Sequence, residues 1–397
     1  MKVCIVSRGD LPLFPATQGA SVKLFYTLKT LSELGIKVYF VSAEDEHYLE
    51  VWKGKFKKKN FPYAIAKSPI RQYHKIFLSL LGIPNDIFVL YHPLINFKLW
   101  LKLLYVVIKE KIDLIQAEFT AFGIPALFTK LLTLKPIVIM EHNVETFQLP
   151  QVTNLNLKGK KIVRFVEKLV CKFSDKIIVV SKEEKKRLCK LGIGKEKICT
   201  IPHGVDLKLY ENQDSKKVKK KYKLKFPTLI FHGTFSYRPN YDAIKKIAEK
   251  IIPELRKKGI KIKLLAIGNH PPKDIKAKAI IFTGPVKNLP NYISAADLAI
   301  VPIEAGGGMR MKILEYFAAK KPVITTPKGI EGIPVKNEKE AIVVNISEFP
   351  KQIIRLLKSR KLRKKLGENA FKLVQKYDWK KICKKYVEIY KELSKNF

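Results

Sequence analysis

Runs of consecutive apolar residues punctuate the chain, and between them apolar positions recur at helical spacing. The first run, Lys2–Ser7, leads through a loop from Arg8 to Gly19 that contains Pro12 and Pro15. A helix follows from about Ala20 to Leu34, stopped by Gly35, and Lys37–Ser42 repeats the strand pattern. Ile112–Glu118, Pro136–His142, Lys176–Ser181 and Lys197–Ile201 continue it, with Ser181 placed to cap a helix over Lys182–Leu191. Strands that are apolar throughout are covered on both faces, and their alternation with helices implies a parallel, doubly wound α/β sheet.

The same pattern starts afresh after a lysine-rich connector, Gln213–Lys225, that reads as a solvated helix. Thr228–Gly233, Lys261–Gly268, Ala279–Gly284, Leu298–Val301, Val323–Ile324 and Ala341–Val344 are its strands. Helices are expected over Tyr241–Lys257, Leu289–Ala296 and Leu362–Tyr377, and a last amphipathic one from Asp378 to Ser394. For 397 residues, two domains of this kind are the natural division.

The chemistry concentrates between Asp297 and Thr326. There the strand Leu298–Val301 is followed by Gly306, Gly307 and Gly308, and a helix opens near Met309. Ile313 with Phe317, and Leu314 with Ala318, give that helix an apolar face, and Pro322 ends it. Glycines before a helix N-terminus let backbone amides approach a ligand, and the helix dipole favours an anion such as a diphosphate. Arg310 and Lys312 add positive charge at the same end. Glu315, about a turn and a half in, can accept hydrogen bonds from vicinal hydroxyls such as those of a ribose. The set describes a nucleoside diphosphate held by phosphates and sugar. The alternative is a common glycine loop with Lys312 and Glu315 as an i,i+3 surface pair.

This stretch resembles the donor-site signature of GT-B glycosyltransferases, specifically retaining family 4. The resemblance covers nearly the whole chain and is most specific from Gly233 to Gly332. It implies two Rossmann-like domains facing a cleft, 1–205 on the acceptor side and 206–377 binding the nucleotide sugar, with a helix over 378–397 crossing back to the first. Pro202-His203-Gly204-Val205-Asp206 is similar to the family's asparagine-glycine-valine-aspartate turn between domains, with His203 replacing the asparagine. The resemblance places Gly19 near the donor phosphates and His142, at a strand's C-terminal edge, near the transferred sugar. The alternative for His142 is a hydrogen-bonded edge histidine. Gly284-Pro285-Val286 is the turn expected to hold the nucleobase, and Met309 adjoins the glycines.

Two departures stand out. Many members carry an arginine after the glycine at 233 and a lysine soon afterwards; here Thr234 and Pro239-Asn240 occupy those places, leaving Arg238, Arg310 and Lys312 to supply the charge. The family's glutamate pair is spaced eight apart, and its first member falls at Gly307, with Glu304 as the substitute candidate. His142, Arg310 and Lys312 are therefore the catalytic candidates. Gly19, Gly233, Arg238, Gly284, Val286, Glu304, Gly306, Gly307, Gly308, Met309 and Glu315 are the donor-binding ones. No Asp-x-Asp motif is present, so neither a metal nor a cofactor is expected; the nucleotide sugar is a co-substrate.

Charge changes the picture of partners. Lys and Arg number 77 against 35 Asp and Glu, a formal net charge of +42. The excess is mostly Lys and is spread along the chain, unlike the Arg-rich stripes of nucleic-acid binders. A lysine-rich, thermophilic proteome explains it as background; a basic surface would also favour anionic membranes. Val51–Lys75, with Trp52, Phe56, Lys57, Lys58, Lys59, Phe61, Tyr63, Arg71 and Tyr73, is either a solvated loop region or a membrane or acceptor surface. Five scattered cysteines without a C-x-x-C pair suit a reducing cytoplasm. The first residues run straight into a strand, with no signal peptide, and no apolar stretch reads as a transmembrane helix. The expectation is a cytoplasmic glycosyltransferase, peripheral on the inner face of the membrane, that transfers a sugar to a glycan or lipid-linked acceptor. The rivals are a GT-B nucleotide-sugar epimerase and a basic nucleic-acid or membrane-surface binder without catalysis.

Overall fold

The computed structural model describes residues 1–9, 13–14, 19–42, 44–66 and 72–394. Pro12, Pro15 and Arg71 lie outside them. The chain divides into two units, Met1–Pro202 with Trp379–Phe397, and His203–Asp378.

Unit 1 is built on an eight-stranded sheet of β1 (Lys2–Ser7), β2 (Lys37–Ser42), β3 (His47–Trp52), β4 (Lys55–Asn60), β5 (Leu114–Glu118), β6 (Ile137–Glu141), β7 (Lys176–Val179) and β8 (Ile198–Thr200). Their order is β4-β3-β2-β1-β5-β6-β7-β8. Six of them, β1, β2, β5, β6, β7 and β8, pair in parallel. Val3 lies beside both Val38 and Leu114, and the central strands are buried because helices cover both faces. The core joins Val6, Val41, Leu103, Ile115, Ile139 and Val170. A satellite under the 78–91 segment gathers Leu78, Ile83, Phe88, Tyr91, Leu149 and Val163.

Part of Val51–Lys75 is not a loop. Its first residues belong to an antiparallel hairpin, β3 against both β2 and β4, with Trp52 opposite Lys55. The two turn residues, Lys53 and Gly54, both have positive φ, +49° and +74°. That is the primed two-residue turn whose twist suits a hairpin, and Lys-Gly is a weaker signal for it than Asn-Gly. The parallel sheet therefore carries an antiparallel edge. The final helix, Trp379–Ser394, belongs to unit 1, where the Tyr390 hydroxyl donates to Gln116 Oε1 at 2.5 Å and Trp379 stacks on Tyr26 at 5.9 Å.

Unit 2 has a six-stranded, all-parallel sheet of β9 (Thr228–His232), β10 (Lys263–Ile267), β11 (Ile280–Gly284), β12 (Leu298–Val301), β13 (Val323–Thr325) and β14 (Ile342–Val343). The order β11-β10-β9-β12-β13-β14 reverses direction between β9 and β12. Open α/β sheets bind ligands beyond the C-terminal ends of the strands at such a reversal. In unit 1 the equivalent place lies between β1 and β5.

Candidate functional site

At the unit 2 reversal, β9 ends at His232 and Gly233, while β12 runs on into the Gly306–Gly308 loop. The loop is buried and turns into the helix Met311–Ala318, with Arg310 as N-cap residue. Gly306 and Gly308 have φ of +95° and +69°, a region that side-chain-bearing residues avoid. A β-carbon on Gly306 would lie 2.7 Å from the Tyr237 hydroxyl. Gly233, at φ +151°, is equally constrained: a β-carbon there would lie 2.9 Å from Lys312 Nζ. Both glycines therefore keep side chains out of the space around Lys312 and the loop.

Arg310 and Lys312 do different work. The Arg310 guanidinium is buried and folds back on its own loop, donating to the carbonyls of Gly307, Gly308 (2.8 Å) and Ala305 (3.2 Å). It staples the glycine loop and lends its charge through space. Lys312 is half-buried, donates to Asn240 Oδ1 at 2.8 Å and sits 4.2 Å over the Phe231 ring. Burial, and next the Arg310 charge, push its ammonium down to about 7, while Glu315 pulls the other way. Lys312 and Glu315 thus reach different partners and are not a surface pair.

Glu315 Oε2 lies 2.8 Å from His232 Nε2. The Tyr316 hydroxyl accepts from the His232 backbone N–H at 3.0 Å and lies 2.8 Å from Nδ1. The Glu315 carboxylate can only accept, so a neutral His232 carries its proton on Nε2, presents it to Glu315, and accepts at Nδ1 from the Tyr316 hydroxyl. One Glu315 oxygen is thereby oriented and the other remains for hydroxyl donors.

The remaining unit 2 candidates are less concentrated. Met309 is buried behind the loop. Gly284, at φ +69°, ends β11 with its carbonyl accepting from Gly268 N–H at 3.1 Å, and Val286 follows half-buried. Arg238 is exposed and its Nε lies 3.3 Å from Asp242. Glu304 is half exposed, its carboxylate held by Lys246. The structure brings Gly233, the glycine loop, Arg310, Lys312 and Glu315 together, and does not draw Glu304 or Arg238 into their hydrogen bonds. Sequence reasoning missed His232, Asn240 and Tyr316. Strand-end position could have flagged His232; nothing local marked Tyr316, which reads as part of an apolar helix face.

In unit 1, His142 follows β6 and belongs to a buried network. Lys23 Nζ donates to both Glu118 oxygens at 2.7 and 2.6 Å, and Gln116 Nε2 donates to Oε1 at 2.6 Å. His142 Nε2 lies 2.7 Å from Glu118 Oε2. Burial alone would raise Glu118, but the Lys23 charge and His142 outweigh it and hold the carboxyl at about 2. Burial, with the Lys23 and Arg8 charges, pushes His142 below its ordinary value despite Glu118. The neutral ring then donates from Nε2 and carries its lone pair on Nδ1. Phe119, at φ +70°, stacks on it with centroids 4.3 Å apart. Gly19, exposed, starts the helix that carries Lys23 one turn later. Lys23 and Glu118 were also missed; a lysine on the apolar face of the first helix was the available signal.

No three-residue His, Cys, Asp or Glu group that could hold a metal occurs among the described residues. No single described helix is long and apolar enough to cross a membrane.

The arrangement of two doubly wound units with a glycine loop at a sheet reversal is that of GT-B glycosyltransferases. Residues 226–359 match the family described as Glycosyl transferases group 1, and residues 17–209 match Glycosyltransferase Family 4. The chain belongs to this family. An uncharacterized protein from the cps region of Klebsiella pneumoniae is 25% identical, over 98% of this chain and 99% of its own. An uncharacterized glycosyltransferase of Methanocaldococcus jannaschii is 25% identical over 57% of this chain, a match spanning 61% of that relative's length. Among solved structures, sucrose-phosphate synthase from Thermosynechococcus elongatus superposes with a TM-score of 0.77 at 17% identity, covering 100% of both chains. Anabaena HepE in complex with UDP-glucose gives 0.69 at 14% identity, over 99% of this chain and 100% of that one. At such identities the structures speak to the fold.

Proposed function

We propose that this protein transfers a sugar, with retention, from a nucleoside diphosphate sugar to the hydroxyl of a glycan or lipid-linked acceptor in envelope or other glycan synthesis. The observation that carries the reading is the Gly306–Gly308 loop. It is stapled by Arg310 and delivers backbone amides, a helix N-terminus and Lys312 to one place at the sheet reversal. Donors and dipoles fixed in advance stabilise charge as it develops, here on the departing diphosphate. Glu315, oriented by His232, is the ribose ligand, and the Gly284–Val286 turn receives the base. His142 is the unit 1 group assigned to the sugar, its proton position set by Glu118. A UDP-glucose complex of a fold neighbour and a cps-region relative support the donor class and the glycan setting. Family membership favours transfer over the epimerase reading.

The test is a screen of nucleotide sugars for thermal stabilisation, followed by donor turnover with and without candidate acceptors. A ligand at 100 times its Kd should add roughly 2.7 kcal/mol. Stabilisation by a nucleotide sugar and acceptor-dependent turnover are expected. Release of free nucleotide at the same rate without any acceptor would favour epimerisation, and no stabilisation by any donor would remove the reading.

A further inference from the structure

The helix Gln72–Leu80 in unit 1 is tied down on one side only, where His74 Nδ1 lies 3.2 Å from His92 Nε2 and Lys75 lies over the Phe88 ring. Of its nine residues only Leu78 is buried, in the satellite core with Ile83, Phe88 and Tyr91. Ile76, Phe77 and Leu80 share a face at helical spacing and are 54%, 50% and 67% exposed. Leu157, 78% exposed, begins the neighbouring helix, whose Lys158 Nζ donates to the Leu80 carbonyl at 2.7 Å. The junction is tight: a β-carbon on Gly82 would lie 2.6 Å from the Gly159 nitrogen. Single exposed apolar residues are ordinary on protein surfaces, but a fixed ridge of adjacent ones marks an interaction site.

The surroundings select the occupant. Among the described residues between Glu50 and Asp86, six are basic, Lys53, Lys55, Lys57, Lys58, Lys59 and Lys75, and none is Asp or Glu. Lys158, Lys160 and Lys161 flank Leu157 and are exposed. A second copy of a chain with net charge +42 would bring like charge to this face, which disfavours self-association there. An anionic lipid surface matches both properties, because it takes up apolar side chains and attracts lysines. At 1.5 Å per residue the helix is about 14 Å long, too short to cross a bilayer core of about 30 Å. It suits a position in the interface plane.

We propose that the Gln72–Leu80 helix docks on an anionic lipid surface, laying Ile76, Phe77, Leu80 and Leu157 into the headgroup–acyl boundary while the surrounding lysines bind the headgroups. This deepens the reading of a lipid-linked acceptor, since it holds the enzyme where such an acceptor resides. It also moves the apolar half of the contact away from the β4 lysines. Lys59 among them is already engaged by Glu50 at 2.7 Å and Glu110 at 3.1 Å.

Co-sedimentation of the full chain with phosphatidylcholine vesicles, with or without phosphatidylglycerol, tests it. Wild type should pellet only with phosphatidylglycerol present, and less as salt rises. The combined variant Ile76→Ser, Phe77→Ser, Leu80→Ser should bind about tenfold more weakly or worse, with unchanged thermal unfolding because these side chains are half exposed. Phe77→Trp gives an independent readout, an emission blue shift on phosphatidylglycerol vesicles alone. Equal binding by the Ser variant, no binding by wild type, or a wild-type dimer that the Ser variant abolishes would each overturn the proposal. Donor stabilisation without lipid is measured separately, so failure of the docking and failure of the transferase reading are told apart.

Discussion

If the donor diphosphate binds at the glycine loop as proposed, Lys312 makes its affinity depend on pH in a specific way. Its ammonium is pushed down to about 7 by burial first and by Arg310 second. A diphosphate at the glycine loop reverses that balance. One phosphoryl charge about 4 Å away, at an effective dielectric constant of 20, is worth about 4 kcal/mol. At 1.36 kcal/mol per pKa unit, that is roughly three units, returning bound Lys312 to about 10. The sign follows from linkage: above pH 7 the free enzyme has lost the proton and the complex must take it up, so affinity falls as pH rises. Below pH 7 both states are protonated and affinity levels off. With these values the association constant should fall roughly tenfold between pH 8 and 9, and less than about twofold between pH 6 and 7. Titration calorimetry with a nucleotide sugar, whose diphosphate does not titrate in this range, gives the affinities. Repeating it in buffers of different ionisation enthalpy counts the protons. Lys312→Gln should bind more weakly at pH 7 and lose the slope. A wild-type affinity flat from pH 7 to 9, or a slope retained in Lys312→Gln, would falsify the argument.

Other consequences follow from contacts already described. Arg310→Lys should not restore what Arg310→Ala loses, because one ammonium cannot span the carbonyls of Ala305, Gly307 and Gly308; both variants should weaken donor binding, measured by thermal shift. Gly306→Ala, strained at φ +95° and crowding Tyr237, should cost about 1–3 kcal/mol of stability in denaturant titration. Buried Glu145 and Glu167 are raised, chiefly by burial, to about 7 and about 8. They bind protons in the folded state that the unfolded chain has released, so this contribution is full below about pH 4.5 and is lost as pH rises through 7 to 8. Glu145→Gln with Glu167→Gln should flatten that decline in a pH series of unfolding midpoints; an unchanged decline would count against it.

The strands and the glycine loop were legible because each depends on local pattern: a continuous apolar run, a helix start, a glycine that must approach something. The β3–β4 hairpin was not, since its turn is Lys53-Gly54 and four of the six residues in its outer strand are lysine, so no apolar alternation shows. Arg310 and Lys312 were legible as charges at a helix start, but their division of labour depends on where the carbonyls of 305–308 point. His232, Tyr316, Lys23 and Glu118 become site residues only through partners 24 to 95 positions away. No periodicity carries that information. Sequence reading reached the groups proposed to face a ligand and missed His232, Tyr316, Lys23 and Glu118, which orient them.

The two units each set a carboxylate against a histidine and place a lysine nearby, but the lysine is bonded differently in each. In unit 1 the lysine is inside the pair: Lys23 and Glu118 are 1% exposed, and each is the other's charge partner. In unit 2 the lysine stands apart from the Glu315–His232 pair, bonded to neutral Asn240. Removing one member of a buried ion pair strands the other, at about 3–5 kcal/mol, so Glu118→Gln should destabilise the fold by that order in denaturant titration. Glu315→Gln removes only a through-space partner of Lys312, which keeps its Asn240 bond. It should cost about 1 kcal/mol of stability or less, yet weaken nucleotide binding by about 1.5–3 kcal/mol through a lost charged hydrogen bond. If Glu118→Gln unfolded at the wild-type midpoint, Lys23 would have another counter-charge. If Glu315→Gln bound nucleotide normally, the carboxylate would serve only to orient His232. The contrast separates a network that holds its histidine in place from a pair left open to a ligand.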